Sequence, residues 1–144
     1  MDSLKDQNLV KSDGSSVPAN SALAGKDLVL FYFSAHWCPP CKQFTPILRD
    51  FYQEVEDQGV EIIFVSSDRS ASEMVAYMRE SHGPWLAVPH GSPAIARMSQ
   101  EYSVEGIPYL VVINRQGKLV TKQGRQDVTS LAPAKCVQKW KGCM

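Results

Sequence analysis

Leu28-Val29-Leu30-Phe31-Tyr32-Phe33-Ser34-Ala35-His36-Trp37-Cys38-Pro39-Pro40-Cys41-Lys42 decides how this chain folds, because a continuous apolar run gives way to a helical pattern with two cysteines at the junction. The run from Leu28 to Phe33 fits a central strand buried on both faces. Beyond the cysteines, Phe44, Ile47, Leu48, Phe51 and Val55 recur at helical spacing, and Gly59 closes the helix. Pro46, inside that helix, is expected to kink it. Two thiols separated by two residues at a helix entrance read as a dithiol/disulfide redox centre. Cysteines three apart on a first turn share a face with β-carbons about 5 to 6 Å apart, against about 3.8 Å in a disulfide, so modest adjustment opens or closes the bond.

The helix also sets the order in which the sulfurs act. Its unsatisfied first-turn amides carry roughly half a positive charge, which favours an anion at the entrance. Cys38 is therefore the expected thiolate and attacking sulfur, and Cys41, one turn in, the resolving one. Pro39 and Pro40 fix φ near about −65° and lack amide donors, a combination tolerated in a first helical turn. They stiffen the entry and remove amides that would have solvated sulfur. A zinc site is the competing reading of two such cysteines, but it needs four ligands. No second cysteine pair or His-x-x-x-His follows, and His36, His82 and His90 stand in separate segments, so no metal or other cofactor is expected. A peroxide-reducing cysteine fits less well, because that chemistry does not call for a resolving thiol three residues on.

Residues 1 to 25 are polar, with Leu9-Val10 and Val17 as strand fragments around the turn Ser12-Asp13-Gly14-Ser15, which predicts a short hairpin at the sheet edge. Glu61 to Ser66 is a second buried strand, and Ser70-x-x-Glu73 opens a helix through Met74, Val75 and Met78. Gly83-Pro84 ends it, Trp85 to Pro89 reads as a loop, and Ser92-Pro93 starts a helix with Ile95, Met98 and Tyr102 on one face. Strands at Tyr109 to Ile113 and Lys118 to Thr121 flank the turn Asn114 to Gly117. A last helix, roughly Thr129 to Trp140, carries Leu131, Cys136 and Trp140 and is interrupted at Pro133. Alternating strands and helices followed by a hairpin imply a mixed sheet covered by helices, in the α/β class.

The stretch Phe31 to Lys42, with Phe44-Thr45-Pro46, resembles the thioredoxin superfamily, and the Trp-Cys-Pro-Pro-Cys run is similar to its nucleoredoxin and tryparedoxin branch. Phe51-Tyr52, Trp85 to Pro89 and Val104 to Pro108 extend the likeness over about residues 20 to 125. It implies a thioredoxin fold, with a central mixed β-sheet flanked by helices and an N-terminal β-hairpin extension. One domain over 1–144 is expected, 1–25 being the extension and 26–144 the core. The family pattern also implies a cis Ile107-Pro108 bond opposite the dithiol, turning the Ile107 backbone toward an extended substrate segment. Substrate contact is accordingly expected at Trp37, Pro39, Pro40, Ile107 and Pro108. One departure stands out: many thioredoxins keep a buried carboxylate six residues before the first cysteine, where this chain has Tyr32. That raises interest in Asp68, at the end of the second strand, as a proton relay for Cys41, and in Tyr32 itself; the competing reading of Asp68 is a helix cap.

Formal charge is zero, which gives no general attraction to nucleic acid or an anionic membrane. With no basic-apolar leader at the start and no apolar run of about 18 residues, a cytoplasmic location, or a nuclear one, is expected. A reducing compartment would keep Cys38 and Cys41 cycling. His36 reads as a solvated neighbour of the thiolate, and Trp85, in a Gly/Pro-rich loop, reads equally as a surface contact residue and as a packing residue. Cys136 and Cys143 read more as a half-buried and a frayed thiol than as a regulatory pair. The sum is a protein-disulfide reductase working by thiol exchange on disulfide-containing proteins and recharged by an external thiol or dithiol reductant. The alternative is a redox-regulated interaction module of nucleoredoxin type that binds a signalling protein.

Overall fold

Leu28–Ser34 forms a strand in which every residue is buried, so both of its faces must be covered. In the computed structural model, which describes residue 4 and residues 7–142, this strand lies inside a seven-stranded sheet. The elements run β1 (Asn8–Val10), β2 (Ser16–Pro18), α1 (Ala19–Ala22), β3 (Leu28–Ser34), α2 (Pro39–Val55), β4 (Val60–Ser66) and α3 (Ala71–Ser81). They continue with β5 (Leu86–Ala87), α4 (Pro93–Glu101), β6 (Tyr109–Asn114), β7 (Leu119–Thr121), α5 (Gly124–Ser130) and α6 (Pro133–Gly142). The strand order is β2-β1-β5-β4-β3-β6-β7. β4 pairs in parallel with β3 and with β5, whereas the other neighbours are antiparallel, which makes the mixed sheet that the residue pattern predicts.

Alternation along the strands divides the core in two. Leu28, Leu30 and Tyr32 of β3 join Ile62 and Phe64 of β4 and Leu110 and Val112 of β6 on one face, beneath α2, α3 and α6. Val29, Phe31 and Phe33 join Ile63, Val65, Val111 and Ile113 on the other, beneath α4 and the N-terminal segment. Leu9 of the hairpin is fully buried in this second layer, so the extension shares its core.

Local chemistry explains most element ends. Ser70 caps α3 by accepting the Glu73 amide at 3.2 Å. Pro93 and Pro133 begin α4 and α6, where a missing amide costs nothing. A short 3-10 turn follows α2 and stops at Gly59, whose φ of 78° suits glycine.

Four expectations need correction. Ile47 is exposed, because the buried stripe of α2 runs Cys41, Phe44, Thr45, Leu48, Phe51, Tyr52 and Val55. Trp85 to Pro89 is not all loop, since Leu86–Ala87 pairs with both β1 and β4. The last helix is two: α5 begins at Gly124, and Leu131 lies exposed between it and α6. On α3 the core residue beside Met74 and Met78 is Tyr77, with Val75 only half-buried.

Two buried polar groups hold these layers. Asp127 of α5 accepts the Trp140 indole N–H at 2.9 Å and the Lys139 ammonium at 2.9 Å, while its carbonyl accepts the Cys136 thiol at 3.2 Å. His82 follows α3 and accepts the Trp85 indole N–H on Nδ1 at 3.0 Å, which puts its proton on Nε2, an atom with no hydrogen-bond partner. Burial pushes its imidazole down to about 3, so it stays neutral.

Asp127→Ala should lose about 1–3 kcal/mol in urea unfolding, because the Trp140 donor is left buried and unpaired, with Asp127→Asn closer to wild type. His82 gives stability a pH dependence. An unfolded imidazole titrates near about 6.5, so the unfolded chain binds the extra proton below that pH and stability falls as pH drops. Wild type should be about 2 kcal/mol less stable at pH 5 than at pH 7.5 on this account, and His82→Gln should flatten that slope. Equal slopes in the two proteins would contradict the assignment.

A candidate redox site at the β3–α2 junction

Cys38 is the N-cap of α2, in extended backbone, and its sulfur accepts the Cys41 amide at 3.3 Å. Pro39 and Pro40 follow at the first helical positions, both exposed. Cys38 and Cys41 are joined in a disulfide with their α-carbons 5.2 Å apart, so the helical first turn does bring them to bonding range. Cys41 is completely buried and Cys38 is only 4% exposed, so both sulfurs are covered in the oxidised pair, the attacking one included. Ala35 and the half-buried Ile107 pack against the pair and account for the covering.

The Ile107-Pro108 bond is cis, as the family likeness implies. The Ile107 carbonyl oxygen lies 3.9 Å from the Cys38 sulfur, and Pro108 is buried. Beside this point a shallow groove runs between Trp37, Phe33, Ser67, Val104, Gly106 and Ile107. Trp37 is 50% exposed, and its indole N–H donates to the Ser67 carbonyl at 3.1 Å while the Arg69 guanidinium lies 5.8 Å from its ring. The ring is thus held as a platform beside the sulfur. Trp37, Ile107, Pro39, Pro40 and the dithiol all gather at one end of the sheet.

The loop carrying them is fixed from β4. Register places Ser34 opposite Ser66, and the Ser67 amide donates to the Ser34 carbonyl at 2.9 Å. Asp68, buried just beyond, accepts the His36 amide at 2.7 Å on one oxygen and the Ser66 hydroxyl at 2.8 Å on the other. His90 donates to the Asp68 carbonyl at 3.0 Å. His36 is only partly solvated: its Nε2 donates to Glu80 at 2.8 Å, and its ring lies 5.5 Å from that of Tyr77.

Beneath Cys41, Tyr32 is fully buried with its hydroxyl 2.6 Å from Thr45 Oγ1, and burial holds that phenol protonated well above its usual value. Thr45, Tyr77, Ser67 and Arg69 were not anticipated from the sequence. Thr45 alone carried a signal, since it lies four residues after Cys41 on the same helix face. Other singled-out residues lie elsewhere. Trp85 is buried against Tyr52 and His82 as packing. Cys136 is fully buried, and burial, reinforced by Asp127, pushes its thiol up to about 11, which suits a structural residue. Cys143 lies outside the described residues. Among the described residues no group of three or more His, Cys, Asp or Glu is placed to hold a metal ion, and no helix is long and apolar enough to cross a membrane.

Comparison with known proteins agrees with this geometry. A family described as thioredoxin-like matches residues 25–119. Nucleoredoxin of Bos taurus is 43% identical over 123 residues, covering 83% of this chain and 27% of the relative, so the chain spans about a quarter of that protein's length. The crystal structure of thioredoxin from Wuchereria bancrofti superposes with a TM-score of 0.85 at 48% identity, covering 98% of both chains. Thioredoxin related protein 16 of Carcinoscorpius rotundicauda, whose solution structure was described together with a role in regulating transcription factor NF-kB activity, gives a TM-score of 0.82 at 49% identity. That match covers 95% of this chain and 96% of the other.

The hold on the loop is testable. Asp68→Ala should raise hydrogen exchange of the His36 and Trp37 amides at least about tenfold, at a cost in stability of about 1–3 kcal/mol. Unchanged exchange at those amides would show that Asp68 does not secure the segment.

Proposed function

The chain belongs to the thioredoxin-like family, and from that membership we propose that it is a thiol-disulfide oxidoreductase that reduces disulfides in other proteins through Cys38 and Cys41. The observation that carries this reading is the Cys38–Cys41 disulfide at the N-terminus of α2, with the Cys38 sulfur 3.9 Å from the Ile107 carbonyl and a shallow groove beside them. The disulfide is the oxidised end of the cycle. Reduced, Cys38 sits at the N-cap, where the helix dipole and the Cys41 amide favour a thiolate.

The thiolate attacks one sulfur of a substrate disulfide, a Cys38–substrate bond forms, and the other substrate sulfur leaves as a thiolate. Cys41, having given up its proton, attacks Cys38; the Cys38–Cys41 bond forms and the second substrate sulfur is released. The substrate gains two electrons and two protons, and an external thiol or dithiol reductant returns the same to the protein. Trp37, Pro39, Pro40 and Ile107 form the rim against which an extended substrate segment lies, pairing with the Ile107 backbone, while the buried Pro108 backs that contact. In this cycle Asp68 keeps the loop in place through the His36 amide. The cytoplasm or nucleus, being reducing, suits the turnover.

A second reading is favoured by the relative described with regulation of a transcription factor: the dithiol gates binding to a signalling protein and turnover is incidental. One assay separates the two. Insulin disulfide reduction with dithiothreitol as regenerant should be rapid for wild type and fall at least about 10³-fold in Cys38→Ser. Cys41→Ser should stall as a mixed disulfide visible by intact-protein mass. Slow wild-type turnover combined with binding that depends on the redox state of the pair would favour the module.

A further inference from the structure

A buried chain of hydroxyl groups converges on the backbone of Cys41. Thr45 Oγ1 lies 2.8 Å from the Cys41 carbonyl oxygen, which cannot donate, so the Thr45 proton points to Cys41. With its single proton spent, Thr45 accepts from Tyr77 at 2.6 Å, while the Tyr32 hydroxyl lies 2.6 Å from Thr45 and 3.4 Å from the Cys41 carbonyl, both of them acceptors for its proton. Tyr77 in turn must accept from Ser34 at 2.7 Å. The donors run Ser34 to Tyr77 to Thr45 to Cys41, with Tyr32 shared between Thr45 and the Cys41 carbonyl. Ser34, Thr45, Tyr32 and Tyr77 are each completely buried, so none of these hydroxyls faces bulk water. Their positive ends face the first turn of α2, where Pro39 and Pro40 supply no amide protons.

We propose that this hydroxyl cluster stabilises and positions the Cys41 thiolate for the resolving step, taking the part that a buried carboxylate would play. The proposal rests on the reductase reading of Cys38 and Cys41. In that step the Cys38–substrate mixed disulfide and the Cys41 thiol become the Cys38–Cys41 disulfide and a free substrate thiol, the Cys41 proton ending on the departing sulfur through water. Thr45 and Tyr77 are positioning residues here, acting through the Cys41 backbone. A carboxylate would take up the proton, whereas aligned hydroxyls keep theirs and stabilise the charge left behind. Tyr32 stays a donor throughout, because burial and the neighbouring Tyr77 hold its proton.

Few charges compete nearby. His82 faces both tyrosines, its ring 4.3 Å from that of Tyr77 and 6.1 Å from that of Tyr32, and is neutral. On the outer side, His36 meets the Tyr77 ring and is paired with Glu80, and Asp68 reaches this region through the His36 amide.

The test titrates Cys41 alone. In a Cys38→Ser background, thiolate absorbance at 240 nm is followed against pH, with Cys38→Ser/Cys41→Ser as the blank that removes Cys136 and Cys143. Adding Thr45→Val or Tyr77→Phe should raise the Cys41 midpoint by about one pH unit. With Cys38 restored, resolution of the mixed disulfide at pH 7 should slow about tenfold in either variant and recover as pH rises. Loss of a merely structural contact would lower stability and leave the midpoint where it was. An unmoved midpoint in folded Tyr77→Phe overturns the proposal, and that variant decides the matter should Thr45→Val fail to fold. A wild type that turns over no insulin would count against the reductase reading whichever way Cys41 titrates, so the two failures are distinguishable.

Discussion

The parallel pairing of β3 on β4 is the constraint from which the site follows. Its register ends with Ser34 opposite Ser66, so the chain leaving β4 runs beside the chain leaving β3. Ser67 and Asp68 can then take hold of Ser34, His36 and Trp37. A one-residue slip would turn every side chain of β3 to the opposite layer and withdraw all three contacts at once. The apolar residues that enforce the register therefore also aim Cys38, although none of them touches it.

Much of this was legible because the deciding residues carry local signals. Leu28 to Phe33 is a short, nearly continuous apolar run that fits an interior strand, and the prolines after Cys38 suit the first turn of a helix. Ser70 and Gly59 mark their boundaries by capping and by left-handed backbone. The unreadable parts depend on partners remote in sequence. Leu86–Ala87 is too short to announce a strand and exists because β1 and β4 lie on either side of it. Ile47 looked like core on periodicity, yet the stripe is centred on Thr45 and Tyr52, whose hydroxyls find partners inside. In the last helical segment Pro133 announced the break, but not the start of α5 at Gly124 or the hold of Asp127 on Trp140 and Cys136 across it.

At the site, sequence placed the two sulfurs, Trp37 and the Ile107-Pro108 turn, but not what surrounds them. Tyr77 comes from a different helix, 32 residues beyond Thr45, and only the packing of α3 on the sheet brings their hydroxyls together. Replacing a carboxylate by hydroxyls changes the energetics of the interior. A buried charge would need compensation of several kcal/mol, while hydroxyls satisfied by one another need none. The cluster thus keeps the region behind Cys41 neutral, as His82 does on its far side.

The central claim is that two sulfurs at one helix entrance differ in role because they differ in position. Limited alkylation of the fully reduced protein at pH 7 with substoichiometric iodoacetamide, followed by peptide mass mapping, compares them in one tube. Label should appear first and predominantly on Cys38, with Cys41 and Cys136 protected until the protein is unfolded. Label appearing on Cys41 before Cys38, or on neither while Cys136 reacts, would contradict the account.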